Sequence, residues 1–285
     1  MSFEYQKTDF EVVDYRLFSI KPAQSRYIYI LRGPKPSILE QNNYFACLGA
    51  AYTFGRFAEK PYPILLQEKL GLPTLNLGFA GAGPSLYLNN KALIEYANNA
   101  KFVIILVMSG RSESNSLYNC GRLAGLHRKS DNKKITAFNA YQELLENYPE
   151  EYAREIVNET RNNWIANYQE LLSLIKKPKI LFWFSQRNTE YTESYKNVSS
   201  LFHNFPHMVN SYMIDEIKDY CEEYVECVSK RGMPQLLINR FTGEKGYLAP
   251  HLFSPDREQN NYYPSPEMHE HAAEILEPVC RGFVS

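Results

Sequence analysis

Short apolar runs, each ending in a cluster of small or polar residues, set the rhythm of this chain. Tyr44-Phe45-Ala46-Cys47-Leu48 suits a buried strand, and Pro63 to Leu70 continues at helical spacing until Gly71 supplies a C-cap. Between them, Gly49-Ala50-Ala51-Tyr52-Thr53-Phe54-Gly55 is placed as a strand-to-helix turn. Leu72 to Leu77 reads as a second strand, followed by Gly78-Phe79-Ala80-Gly81-Ala82-Gly83, where glycines allow positive φ or close approach of a ligand to the backbone. Phe102 to Met108 is almost unbroken apolar sequence, as in a central parallel strand, and runs into the polar stretch Ser109 to Ser116. Further strands are expected at Lys179 to Ser185 and Tyr224 to Val228, each after a helical segment; in the longer one Trp164, Ile165, Tyr168, Leu171, Leu172 and Ile175 share one face. This alternation predicts a three-layer α/β/α domain around a parallel sheet, which binds ligands at the C-terminal strand ends, where the polar turns gather.

Residues 1–40 carry apolar patches without a motif and are expected to pack on the core as an extension. The main domain then spans 41–285, with a helical insertion near 130–177 and a long loop near 230–265; the part from Arg240 to Pro264 is rich in Gly, Pro, Asn and Asp and is placed as a lid. A length of 285 residues with 44% hydrophobic content fits one elaborated domain. The net charge of -1, with scattered Lys and Arg, gives no electrostatic case for nucleic acid or an anionic membrane. Five cysteines without a CxxC pair fit reduced thiols; the start, Met1-Ser2-Phe3-Glu4, lacks signal-peptide character, and no apolar run reaches membrane length, so a cytoplasmic protein is expected. His203 and His207 stand four apart, but Pro206 between them breaks the helical face a metal pair would need, so no metal is expected. Neither a P-loop nor a Rossmann glycine pattern occurs, so no cofactor is expected. The 22 tyrosines and 16 phenylalanines, among them Tyr191, Tyr195, Tyr247, Tyr262 and Tyr263 outside the strands, suit sugar stacking, subunit contact in a homo-oligomer, or packing against the domain.

Four sequence blocks resemble the SGNH, or GDSL-like, hydrolase superfamily. Of GDSxTxG, Gly49, Thr53 and Gly55 match, while Ala50 replaces the acid and Ala51 the serine nucleophile. Asn76, Gly78 and Gly81 match NxGxxG; Gly110-Arg111-Ser112-Glu113 aligns with GxND, so that Ser112 takes the place of the oxyanion-hole asparagine, with Asn115 close by. Pro266-Glu267-Met268-His269 aligns with DxxH, keeping the histidine and losing the aspartate. The resemblance implies a five-stranded parallel, flavodoxin-like sheet, a pocket at residues 49–56, 78–83, 109–116 and 264–269, an oxyanion donor at the Gly78 N–H, and an acid or base at His269. The chain is also similar, over nearly its whole length, to uncharacterised bacterial proteins sharing its Ser-Gly-Arg-Ser and Tyr-Pro-Ser-Pro-Glu-Met-His stretches.

Losing a triad nucleophile removes roughly 10⁶ of rate, so acyl-enzyme hydrolysis through position 51 is excluded. Three routes stay open. Another side chain attacks, with Thr53, Ser109, Ser112 and Cys120 the nearby candidates. Alternatively, a bound second substrate attacks directly, in acyl or sulfuryl transfer to a carbohydrate or other hydroxylated molecule, with His269 as base and Arg111 clamping an anionic donor. Or the fold only binds a glycan or assembles with a partner. Candidate catalytic residues are therefore His269, Arg111, Ser112 and Thr53; candidate substrate-binding residues are Gly49, Ala51, Tyr52, Gly78, Gly81 and Asn115.

Overall fold

The computed structural model describes residues 2–22, 27–37, 39–121, 125–246 and 258–284. Its central sheet contains β1 (Phe45–Gly49), β2 (Thr74–Gly78), β3 (Val103–Leu106), β4 (Lys179–Ser185) and β5 (Glu223–Val228), all parallel, in the spatial order β5-β4-β3-β1-β2. Every residue of β1, β2 and β3 is buried, and so is β4 beyond its first residue. A strand covered on both faces must be apolar throughout, which is why these segments read as unbroken hydrophobic runs. Edge strand β5 alternates instead, with Val225 and Cys227 inward.

Helices fill both faces. α1 (Ala51–Phe54) and α2 (Tyr62–Leu70) connect β1 to β2; α3 (Pro84–Leu88) and α4 (Lys91–Asn99) connect β2 to β3. α5 (Ala137–Asn147) and α6 (Glu150–Leu174) precede β4, α7 (Ser211–Lys218) precedes β5, and α8 (Pro266–Val284) ends the chain. α8 packs beside α2, whereas α6 packs against α3 and α7. The buried face of α6 includes Trp164, whose Nε1 donates to Met108 O at 3.1 Å, and Tyr168, whose hydroxyl donates to Leu106 O at 2.7 Å. Both bonds secure the end of β3. The chain leaves β1 toward one side of the sheet and β3 toward the other, so the switch in strand order falls between them.

Two parts have no counterpart in the periodicity. Between β3 and α5 the chain folds as a small antiparallel sheet, Tyr118–Cys120, Leu126–Arg128 and Lys134–Ile135. Strands of two or three residues are too short to show alternation. In the region read as a long loop, Gln235–Leu236 pairs with Gln259–Asn260 and Ile238 bridges to Lys245; Tyr247 and the rest of 247–257 lie outside the described residues. Among the described residues, no helix is long and apolar enough to cross a membrane.

The first forty residues contribute a helix, Ser2–Asp9, and a two-stranded sheet of their own, Phe18–Ile20 with Tyr29–Leu31. What fastens them is a buried ion pair. Arg56 Nε and Nη2 donate to the two Asp9 carboxylate oxygens at 2.8 and 3.0 Å, and the Tyr15 hydroxyl donates to Asp9 Oδ2 at 2.7 Å. The Arg56 guanidinium also covers the Tyr5 ring, 4.1 Å from its centroid, and donates to the Tyr263 hydroxyl at 3.1 Å. Removing one partner of such a pair strands the other charge in the interior. Arg56→Ala is therefore expected to lower unfolding free energy by about 3–5 kcal/mol in urea titrations; a loss under about 1 kcal/mol, the range of a surface pair, would show the extension to be held otherwise.

Candidate functional site

The turn after β1 is built by close approach. A Cβ on Gly49 would stand 2.2 Å from Thr53 Oγ1, and one on Gly78, its register partner on β2, would stand 2.4 Å from Phe54 N. Asn76 uses both ends of its amide here: Nδ2 donates to Thr53 O at 2.8 Å, and Oδ1 accepts from the Gly78 N–H at 2.9 Å. The Gly78 donor is thus engaged inside the protein. Thr53 Oγ1 lies 3.0 Å from the Tyr62 hydroxyl, fully buried, and Tyr87 closes the turn by bonding to Gly49 and Leu77 backbone.

Next to this turn, at the C-terminal strand ends, opens a cavity of about 510 Å³, within the range of small-molecule sites. Ala50, Ala51 and Tyr52 form one side and Ala80-Gly81-Ala82 another. Ser109, Arg111 and Ser112 follow from the exit of β3, and the stretch from Lys134 to Phe138 supplies the opposite wall. Tyr5, Phe205, Tyr262 and Tyr263 add aromatic surface, and Gly125 completes the lining. Tyr52 stacks on Phe205 with centroids 4.0 Å apart, and its hydroxyl donates to Tyr262 O at 2.7 Å.

Of the residues singled out by sequence, Ala51, Tyr52, Gly81, Arg111 and Ser112 line this cavity. Gly49, Thr53, Gly78, Asn115 and His269 lie in the packed interior. Asn115 Oδ1 accepts from the N–H groups of Leu117 and Tyr118, and its Nδ2 donates to Thr160 Oγ1 at 3.0 Å. His269 is wholly buried beside Tyr62 and Phe184. Its Nδ1 accepts the Tyr62 N–H at 3.2 Å, while Nε2 has no hydrogen-bond partner among the described residues. Burial, helped by the Arg32 charge, pushes its pKa down to about 3. The ring is therefore neutral, and the lone pair a base would use is already engaged.

A different histidine, itself buried, contacts two residues of the cavity wall. His207 Nδ1 is 3.0 Å from Ser109 Oγ, its backbone N–H donates to the same oxygen at 3.1 Å, and Nε2 is 3.3 Å from the Tyr262 hydroxyl. Its loop is held to two strand ends at once. Gly110 N–H donates to His207 O at 2.9 Å, Ser185 Oγ donates to Phe205 O at 2.6 Å, and the buried Arg187 guanidinium donates to Pro206 O and Val209 O at 2.6 and 2.7 Å. Burial first, then the charges of Arg111, Arg187 and His203, hold the His207 pKa well below the usual histidine value. Among the described residues, no group of three or more His, Cys, Asp or Glu is placed to hold a metal ion.

Glu113, next to the cavity segment, turns into the core. Its Oε2 accepts from Ser85 Oγ in a short contact and from Asn167 Nδ2 at 2.7 Å, while Oε1 is buried without a partner among the described residues. Burial outweighs these hydrogen bonds and pushes the carboxyl pKa up to about 7. A raised acid favours the fold in its protonated form, so this stability is fully present below the ordinary carboxylate range and is lost as pH rises through about 7. Relative to Glu113→Gln, which stays neutral, the wild type is expected to lose unfolding free energy between pH 5 and 8. Parallel pH profiles of the two proteins in urea would refute this assignment.

With the geometry in place, comparison with known proteins locates the chain. No curated protein matches it. Among solved structures it is similar to a family two carbohydrate esterase from Clostridium thermocellum in complex with cellohexaose, at 10% identity and a TM-score of 0.45, over 90% of this chain and 67% of that one. A family 2 carbohydrate esterase from Myceliophthora fergusii gives 9% identity and 0.43, covering 90% and 71%. An acetyl-xylooligosaccharide esterase mutant from Geobacillus gives 13% and 0.39, covering 84% and 94%. At such distances, what those enzymes act on stays with them. Over residues 1–284 the sequence matches the family described as "Domain of unknown function (DUF6473)", and the chain belongs to that family.

Proposed function

We propose that the protein transfers an acyl or similar group, sulfuryl included, to or from a carbohydrate or another hydroxylated small molecule held in the cavity beside Ala51. The observation that carries this reading is the cavity itself: it lies where an α/β sheet binds ligands, and its walls combine stacking surfaces with Arg111, Ser109 and Ser112. Aromatic rings offer flat apolar faces to a sugar, and a guanidinium holds a carboxylate, sulfate or phosphate through paired hydrogen bonds. Small side chains at 50, 51, 80 and 82 leave room against the backbone.

A second reading, a binding protein without chemistry, has its own support. The Gly78 N–H is spent on Asn76 and the His269 lone pair on the Tyr62 N–H, so two groups to which the SGNH resemblance assigns roles are engaged in holding the fold. Recovery of a bound sugar ester unchanged after prolonged incubation would favour it.

Two measurements test the cavity. Saturation-transfer NMR with O-acetylxylose and glucose 6-sulfate is expected to detect binding, and Arg111→Ala to weaken the sulfate ester about tenfold or more, as loss of a charge-assisted bond would; no binding of either sugar to the wild type would sink the reading. Placing serine at position 51 is expected to achieve little, since the lone pair of His269, the base that the SGNH resemblance implies, is engaged by the Tyr62 N–H. Ala51→Ser should hydrolyse p-nitrophenyl acetate within about tenfold of the wild-type rate; recovery of a triad-scale gain, about 10⁴-fold or more, would mean that a base reaches residue 51 after all.

A further inference from the structure

Ser109, on the cavity wall, and His207, buried behind it, are 98 residues apart in sequence and meet side chain to side chain. A hydroxyl within hydrogen-bond reach of an imidazole nitrogen, whose other nitrogen is set against a third group, is the arrangement that activates a nucleophile. We propose that Ser109 is a nucleophile of this cavity, with His207 as its general base and Tyr262 as the residue that positions the imidazole. The proposal rests on the cavity reading above and assigns the attacking group that position 51 lacks.

The proposed proton transfer runs from Ser109 Oγ to His207 Nδ1 across their contact. The His207 backbone N–H donates to Ser109 Oγ, and in the tautomer this proposal requires the serine hydroxyl in turn donates across the 3.0 Å contact to Nδ1. Nδ1 then acts as acceptor, and the Nε2 hydrogen faces the Tyr262 oxygen at 3.3 Å. In the first step Ser109 Oγ bonds to the carbonyl carbon of an acyl ester while its proton passes to Nδ1. The tetrahedral intermediate collapses by breaking the bond to the leaving alkoxide, which takes the proton from Nδ1. In the second step water or an acceptor hydroxyl bonds to the acyl carbon and gives its proton to Nδ1, the bond from that carbon to Ser109 Oγ breaks, and Nδ1 returns the proton to Oγ. Arg111 lines the same cavity and can oppose negative charge on the substrate.

Other groups serve less well. Cys120 has its thiol pushed up to about 12, chiefly by burial, and Thr53 Oγ1 faces the Tyr62 hydroxyl in the core, with neither lining the cavity. Glu113 is enclosed by Ser85 and Asn167. Only Ser109 among these combines an imidazole contact with a place on the wall.

The test uses a fluorophosphonate probe on the full chain, with mass spectrometry to locate the adduct. The serine oxygen displaces fluoride from phosphorus, and its proton leaves through the imidazole, so the probe reports the same two groups. Labelling at Ser109 is expected, with a rate about 10²-fold or more lower in His207→Gln and a smaller loss in Tyr262→Phe. Burial together with Arg111, Arg187 and His203 keeps His207 neutral, so the wild-type labelling rate should hold to below the ordinary histidine pKa before it falls. A merely structural role for His207 would not set that acid limb. Adducts confined to other residues, no adduct at all, or equal rates in a folded Tyr262→Phe and a folded His207→Gln as in wild type would each overturn the assignment. If the sugars still bind in that event, the cavity reading survives without Ser109; if they do not, both fall.

Discussion

The exits of β1 and β2 can lie side by side only because neither Gly49 nor Gly78 has a side chain, and most of the site follows from that constraint. With the two strands in register at these glycines, α1 sits directly on the strand ends, and its backbone reaches within 2.4 Å of where a Cβ on Gly78 would be. Asn76 and Tyr87 fasten the arrangement by taking up the backbone groups that such a tight turn leaves over. A donor consumed in this way is unavailable to a substrate. The glycines and asparagine that make the sequence resemble a hydrolase family are here explained by packing, and the cavity opens beside them, against Ala51, Gly81 and the exit of β3.

This division accounts for what could be read in advance. The five strands were legible to within about two residues, four because double-sided burial forces a continuous apolar run and β5 by its alternation, and Gly71 marked the end of α2, where it caps with φ 65°. Arg111 and Ser112 were legible as cavity residues because the end of a central strand is where polar side chains meet the ligand face. His207 was not. Its partners come from residues 109 and 262, and its only local signal, a second histidine four residues earlier, pointed to a metal pair that Pro206 forbids. Motif spacing tests neighbours along the chain, whereas this contact is made by a loop that Arg187 and Ser185 fold back across the sheet. His269 shows the converse: a recognisable position in sequence whose side chain is enclosed by Tyr62 and Phe184.

The N-terminal extension belongs to the same economy of contacts. Tyr5 and Tyr263 both line the cavity, and both touch the Arg56 guanidinium that Asp9 holds in place. One side of the pocket is therefore fixed by an ion pair that bridges the first helix and the turn after α1. Breaking the pair would loosen a wall as well as lower stability, which ties the role of the first residues to the shape of the site.

Electrostatics give the cavity a direction. His207 is kept neutral by burial and by the positive charges of Arg111 and Arg187, with His203 adding to them when protonated, so a proton on its ring is costly while no anion offsets them. An anion bound against Arg111 offsets part of that positive field, and reciprocity requires that whatever eases protonation of the ring also be bound more tightly once the ring is protonated. A negatively charged group in the cavity is thus coupled to the proton affinity of His207 across the few residues that separate them. The same neighbours that make the free imidazole a weak base make its basicity responsive to the charge of what the cavity holds.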